Sequence, residues 1–98
     1  MKRILLSVAC LAAGVSQAQV KWDLPTGYAA NTFQTQNNQQ FAKEVDVLTG
    51  GKLKITLHPG GSLYKANEIK RAVQTGQVPA AEFILSGAAN ENALYGVD

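Results

Sequence analysis

Cysteine, histidine and charge of either sign are all scarce in this 98-residue chain, and each scarcity excludes a class of chemistry. The single thiol, Cys10, has no partner for an internal disulfide and cannot build a cysteine metal cage. The single histidine, His58, has no companion at ligand spacing, whereas zinc takes three or four clustered donors. Nucleophilic catalysis needs a nucleophile, a base and a group to orient the base. Ser62 and Ser86 lie outside any G-x-S-x-G elbow, and Asp23, Glu44, Asp46, Glu68, Glu82 and Glu91 are scattered, so no catalytic residue, metal site or cofactor site is expected. The net charge is only +2, and two of the basic residues, Lys2 and Arg3, stand at the very start. From residue 19 onward seven basic side chains face seven acidic ones, with no basic cluster interleaved with aromatics, which excludes a nucleic-acid partner. No apolar run reaches the roughly 20 residues that span a bilayer.

What is present begins with a leader. Lys2 and Arg3 precede an apolar run from Ile4 to Val15, and Ser16 and Ala18 then put small residues at the −3 and −1 positions of a cleavage site. Residues 1–18 read as a secretory signal peptide, so the protein is expected in the periplasm. Cys10 sits inside the apolar run without the leucine that precedes a lipoprotein cysteine, so it reads as part of the leader. Residues 19–98 remain, a domain small enough to be marginal without staples.

The remaining chain alternates strand and helix. "VKWDLP" (20–25) sets Val20, Trp22 and Leu24 against Lys21 and Asp23, and Pro25 ends the ladder. A helix follows, capped by Asn31 or Thr32, with Phe41, Val45 and Leu48 beside Ala42 as its apolar face and Thr49-Gly50-Gly51 as its stop. "KLKITLH" (52–58) alternates strictly and stops at Pro59-Gly60-Gly61. A second helix over about 65–75 would bury Ile69, Ala72 and Val73 and end at Gly76. "AAEFILS" (80–86) reads as a third strand buried on both faces. The order predicts an α/β fold, a βαβαβ parallel-sheet unit with right-handed crossovers. Three strands leave open edges, so the chain reads as the first part of a larger α/β domain.

In open parallel sheets ligands sit beyond the carboxyl ends of the strands. Those ends carry Thr26 to Asn31, Pro59 to Ser62 and Ser86 to Asn90, all polar or small. Tyr28, Asn31, Glu68 and Ser86 are ligand candidates on this ground, although loop packing accounts equally well for Tyr28 and Asn31, and a helix-start carboxylate accounts better for Glu68. "PGGSL" (59–63) has neither G-x-G-x-x-G nor G-K-[ST] spacing and reads as a turn before it reads as an anion cradle.

The order and spacing of F-A-K-E-V (41–45), T-G-G-K-L-K-I (49–55), H-P-G-G-S-L (58–63) and E-I-K-R-A-V-Q-T-G-Q-V (68–78) resemble the N-terminal region of the solute-binding proteins of tripartite ATP-independent periplasmic (TRAP) transporters. The similarity runs from Val20 to Asp98. It implies the first part of lobe I of a two-lobed periplasmic binding protein. Such a protein closes on a small organic acid, commonly a carboxylate, and delivers it to TRAP membrane permease subunits. It also implies ligand-facing positions at Thr26, Tyr28 and Asn31, at Asn67 and Glu68, and at Ser86 and Asn90. The family's ligand-pairing arginine lies beyond the region matched, and Arg71, on an exposed helix face, does not fit that role. Two rival readings are the first part of a secreted α/β enzyme with its catalytic residues downstream, and a small autonomous secreted adaptor. The leader makes the most direct prediction. Intact-mass measurement of the exported protein should find a chain that begins at Gln19, and a periplasmic species retaining Met1 would overturn the assignment.

Overall fold

The computed structural model describes residues 18–97. Residues 1–17 of the proposed leader, Cys10 among them, lie outside that range. Strand β1 (Val20–Pro25) pairs in parallel with β2 (Leu53–His58), in a register that sets Val20 opposite Leu53 and Pro25 opposite His58. Between them runs helix α1 (Phe33–Leu48), and after β2 come a short helix α2 (Ile69–Gln74) and two single 3₁₀ turns, Leu85–Ala88 and Ala93–Gly96. The parallel pair with its crossover helix is the α/β unit that the alternation predicts.

α1 starts and stops where its end residues dictate. The Thr32 hydroxyl accepts the Thr35 N–H at 3.3 Å, which satisfies one of the amides a helix leaves unpaired at its start. At the other end the Gly51 N–H reaches the Asp46 carbonyl at 2.8 Å and the Gly50 N–H that of Val47 at 3.1 Å, the paired bonds of a Schellman stop. α2 ends in the same way, through Gln77 to Ala72 and Gly76 to Val73.

The faces of α1 differ from the sequence expectation. Thr35 and Ala42 are buried, with Asn38 and Val45 half-buried along the same side, whereas Phe41 and Leu48 are 50% and 84% exposed. Ala42 alone is small enough to let the helix backbone come close to the sheet, where it packs with Leu24 and Leu57 and with Ile55 and Ala80 around them. The large residues Phe33, Phe41, Val47 and Leu48 are left on the outer side.

The third strand is also shorter than its apolar run suggests. Residues 80–86 touch the sheet through one parallel bridge, Thr26 to Glu82, and Phe83, Ile84 and Leu85 stand 40–47% exposed instead of buried on two faces. Backbone parity explains this. Val20 and Thr26 aim their N–H groups at β2, bonding Lys52 and His58, while Pro25 aims its carbonyl the other way, accepting the Glu82 N–H at 3.0 Å. The ring of Pro25 deletes the donor that would reach the carbonyl of residue 80, and β1 ends before it could pair with residues 83–85. α2 likewise begins at Ile69, later than expected, because Lys65 to Glu68 close a separate turn through the Glu68 N–H and the Lys65 carbonyl. Val73, expected inside, is 39% exposed, while Ile69 and Ala72 are buried.

Two substitutions separate the cap from the core. Leu57→Ala, at the centre of the α1–sheet contact, should cost about 2–5 kcal/mol, and Thr32→Ala about 1 kcal/mol. Urea midpoints measured by circular dichroism check the ranking, and equal shifts would show that the core is not centred on Leu57.

Candidate functional site

The end of β1 is held by hydrogen bonds on every side. Thr26 is fully buried; its N–H donates to the His58 carbonyl at 3.1 Å and its carbonyl accepts the Gly61 N–H at 3.1 Å. Its hydroxyl donates to Glu82 Oε1 at 2.7 Å and accepts the Tyr28 N–H at 3.1 Å. The Tyr28 carbonyl in turn accepts the Gly60 N–H at 2.7 Å. Gly60 and Gly61 take φ of +66° and +72°, values that let two successive amides turn back on the β1 loop and that side chains resist. The glycine turn after β2 is therefore a clamp on the loop after β1. Its amides are spent on backbone carbonyls, Ser62 N–H on Pro59 included, and none remains to cradle an anion.

Beside this clamp lies a cleft of about 740 Å³ between the β1 loop, the start of α2 and the segment after Glu82. Gly27 permits the close approach of two walls: a Cβ there would stand 2.9 Å from Ala66 Cβ. Four of the seven residues expected at a ligand line the cleft, namely Tyr28, Asn67, Ser86 and Asn90. The other three do not. Thr26 is buried beneath the loop, where it orients Tyr28 and Glu82. Asn31 is exposed in the turn before α1, and Glu68 is exposed at the start of α2, where its side chain caps nothing.

The cleft also takes residues that sequence reasoning passed over. Ile69, Phe83 and Ile84 supply apolar wall, Glu82 a carboxylate, and Lys70 and Arg71 positive charge. Arg71 is exposed, as expected, yet it lines the cleft and does not face away from it; among the described residues it forms no ion pair. Lys70 pairs with Glu91 across the cleft rim. The only available signal for these residues was position: a βα connection and the following helix start carry them past a strand's carboxyl end. Outside the cleft, His58 Nε2 lies 2.8 Å from Asp23 Oδ1 on the solvated face of the sheet, so the lone histidine belongs to a surface pair. Among the described residues no three His, Cys, Asp or Glu side chains gather in a metal-binding group. Apolar walls, uncharged polar groups and a few charges suit a small, oriented polar ligand.

Thr26 generates the sharpest structural prediction. Thr26→Val keeps the shape but strands the Tyr28 N–H and one Glu82 oxygen, at a cost of about 1–3 kcal/mol. Thr26→Ser, which retains the hydroxyl, should lose clearly less. Comparing their urea midpoints checks this, and indistinguishable variants would show that the hydroxyl does not hold the loop.

Comparison with known proteins identifies the family. The family model for bacterial extracellular solute-binding protein, family 7, matches residues 26–95. Among solved structures the chain is similar to DctP6, a Bordetella pertussis extracytoplasmic solute receptor binding pyroglutamic acid, with 56% identity over 81% of this chain and a TM-score of 0.77. It is similar also to a marine-metagenome TRAP solute-binding protein from an unidentified microbe, specific for pyroglutamate, with 54% identity over 83% of this chain and a TM-score of 0.78. DctP7, another Bordetella pertussis receptor binding pyroglutamic acid, has 35% identity over 81% of this chain and a TM-score of 0.76. The chain spans about a quarter of the length of these relatives, 26%, 27% and 26% respectively.

Proposed function

We propose a function from the premise that this chain belongs to the bacterial extracellular solute-binding proteins of family 7, a family of receptors and not of enzymes. In this reading residues 19–98 form part of lobe I of a TRAP solute receptor and supply one wall of its binding cleft. The ligand is a small organic acid of the pyroglutamate class, and the receptor hands it to a TRAP permease in the membrane. The signal peptide at residues 1–18 would carry the chain to the periplasm before removal.

One observation carries the ligand class: identity of 56% and 54%, over four-fifths of the chain, with two receptors that bind pyroglutamate. The chemistry of the cleft supports it. Arg71 offers a planar guanidinium with five donors, suited to a carboxylate. Asn67, Ser86 and Asn90 offer uncharged hydrogen-bonding groups, and Ile69, Phe83 and Ile84 an apolar surface for a ring. Tyr28, Asn67, Ser86 and Asn90 are the residues assigned to ligand contact, with Thr26 positioning Tyr28; Asn31 and Glu68 lie outside the cleft of this wall.

A graft tests the reading. Residues 26–95 of this chain would replace the matching stretch of the Bordetella pertussis pyroglutamate receptor, and calorimetry would measure binding. The expected affinity lies within about tenfold, ~1.4 kcal/mol, of the parent receptor. A folded chimaera that binds no pyroglutamate would overturn the assignment. The chain alone, offering one wall, should bind only weakly.

A further inference from the structure

We propose that Glu82 reads a hydrogen-bond donor on the ligand, so that the cleft selects small acids carrying an N–H over isosteric acids that lack one. This rests on the solute-receptor reading above and assigns the same cleft a specificity-determining residue.

Among the described residues, Glu82 carries the hydrogen bonds that tie the segment after α2 to the sheet. Its N–H donates to the Pro25 carbonyl at 3.0 Å, and its residue bridges Thr26. The side chain is tied as well, with Oε1 accepting the Thr26 hydroxyl at 2.7 Å. That hydroxyl is fully buried and already accepts the Tyr28 N–H, so its single proton is committed to the carboxylate. Main chain and side chain thus hold Glu82 at the lining of the cleft.

The second oxygen, Oε2, is different. Among the described residues it accepts no hydrogen bond, and Glu82 forms no ion pair although Lys70 and Arg71 line the same cleft. Lys70 is taken by Glu91. An ionised carboxylate is an acceptor only, so the free oxygen can be satisfied by a ligand N–H but not by a ligand carbonyl or ring oxygen. A site built around such an acceptor rejects an analogue without the donor, because a ligand that covers the half-buried carboxylate then takes away its water without replacing the bond. The ligand class that fits is a lactam acid, which has an N–H beside the carbon that bears its carboxylate.

The test compares pyroglutamate with its γ-lactone, in which oxygen replaces the ring N–H and little else changes. Both would be titrated into the full 98-residue chain, followed by ¹⁵N NMR, and into the chimaera, followed by calorimetry. The wild-type proteins should prefer the lactam by roughly 10- to 100-fold, the range of one hydrogen bond to a charged group. In Glu82→Gln the amide oxygen can keep the Thr26 hydroxyl and leave an NH₂ donor free, so the preference should vanish or reverse. Equal wild-type binding of lactam and lactone would overturn the proposal, and so would a Gln variant that keeps the full preference. The wild-type comparison decides without any variant if Glu82→Gln does not fold. Binding of neither compound by a folded chimaera would instead sink the receptor reading itself, and this inference with it.

Discussion

Thr26 is the residue through which the β1 loop, the glycine turn after β2 and the segment at Glu82 are joined. Its backbone ties β1 to the end of β2 and to the glycine turn, and its hydroxyl ties the β1 loop to Glu82. No disulfide is available to do this among residues 18–97, since the one cysteine lies earlier in the chain. A polar node substitutes for the covalent staple. Each bond contributes only about 0.5–1.5 kcal/mol net, but burial makes the loss of any one expensive, because its partner is then left without water. The side chain that looked like a ligand contact is buried and holds the loop from beneath.

Pro25 has the complementary effect of ending pairing. Without its N–H the edge of β1 cannot pair with the residues just before Glu82, and beyond Thr26 the strand itself has ended. A longer third strand would have placed Phe83 and Ile84 in the ladder, on opposite faces of the sheet. Release after one bridge instead lets Phe83, Ile84 and, within the 3₁₀ segment, Ser86 line the cleft together.

Much of this was legible in the sequence. The Thr32 cap, the Thr49-Gly50-Gly51 stop and the alternation of Leu53, Ile55 and Leu57 are local signals with local causes, and each stands where its residues require. The inward face of α1 was legible only in part: Ala42 and Val45 were named, but Thr35 and Asn38 were not. A periodicity rule that follows large apolar residues adds Phe41 and Leu48, which are exposed. The apolar run at 80–86 pointed to a strand because composition cannot register a donor absent from its neighbour, Pro25. For the cleft, the strand-end rule located Tyr28 and Ser86, and the family resemblance added Asn67 and Asn90. It could not separate a residue that lines the cleft from one buried under it, as with Thr26, nor recognise Glu82, whose role comes from a hydrogen bond across 56 residues of sequence.

The arrangement of charge in the cleft bears on how a ligand would be oriented. On the sheet side stands an acceptor, Glu82, held by a buried hydroxyl; on the helix side stand Lys70 and Arg71. Pairing with Glu91 uses up Lys70, which leaves Arg71 as the cation without a partner among the described residues. Ile69, Phe83 and Ile84 contribute wall that cannot answer a polar group. A molecule with an anion at one end and an N–H nearby could satisfy the two charged positions in one orientation, and turning it around would set carboxylate against carboxylate. Discrimination of this kind comes as much from the repulsive arrangement as from the attractive one. It also explains why a nearly neutral chain can carry a selective site. What matters is the separation of a few opposite charges across one cleft, a quantity to which net charge is blind.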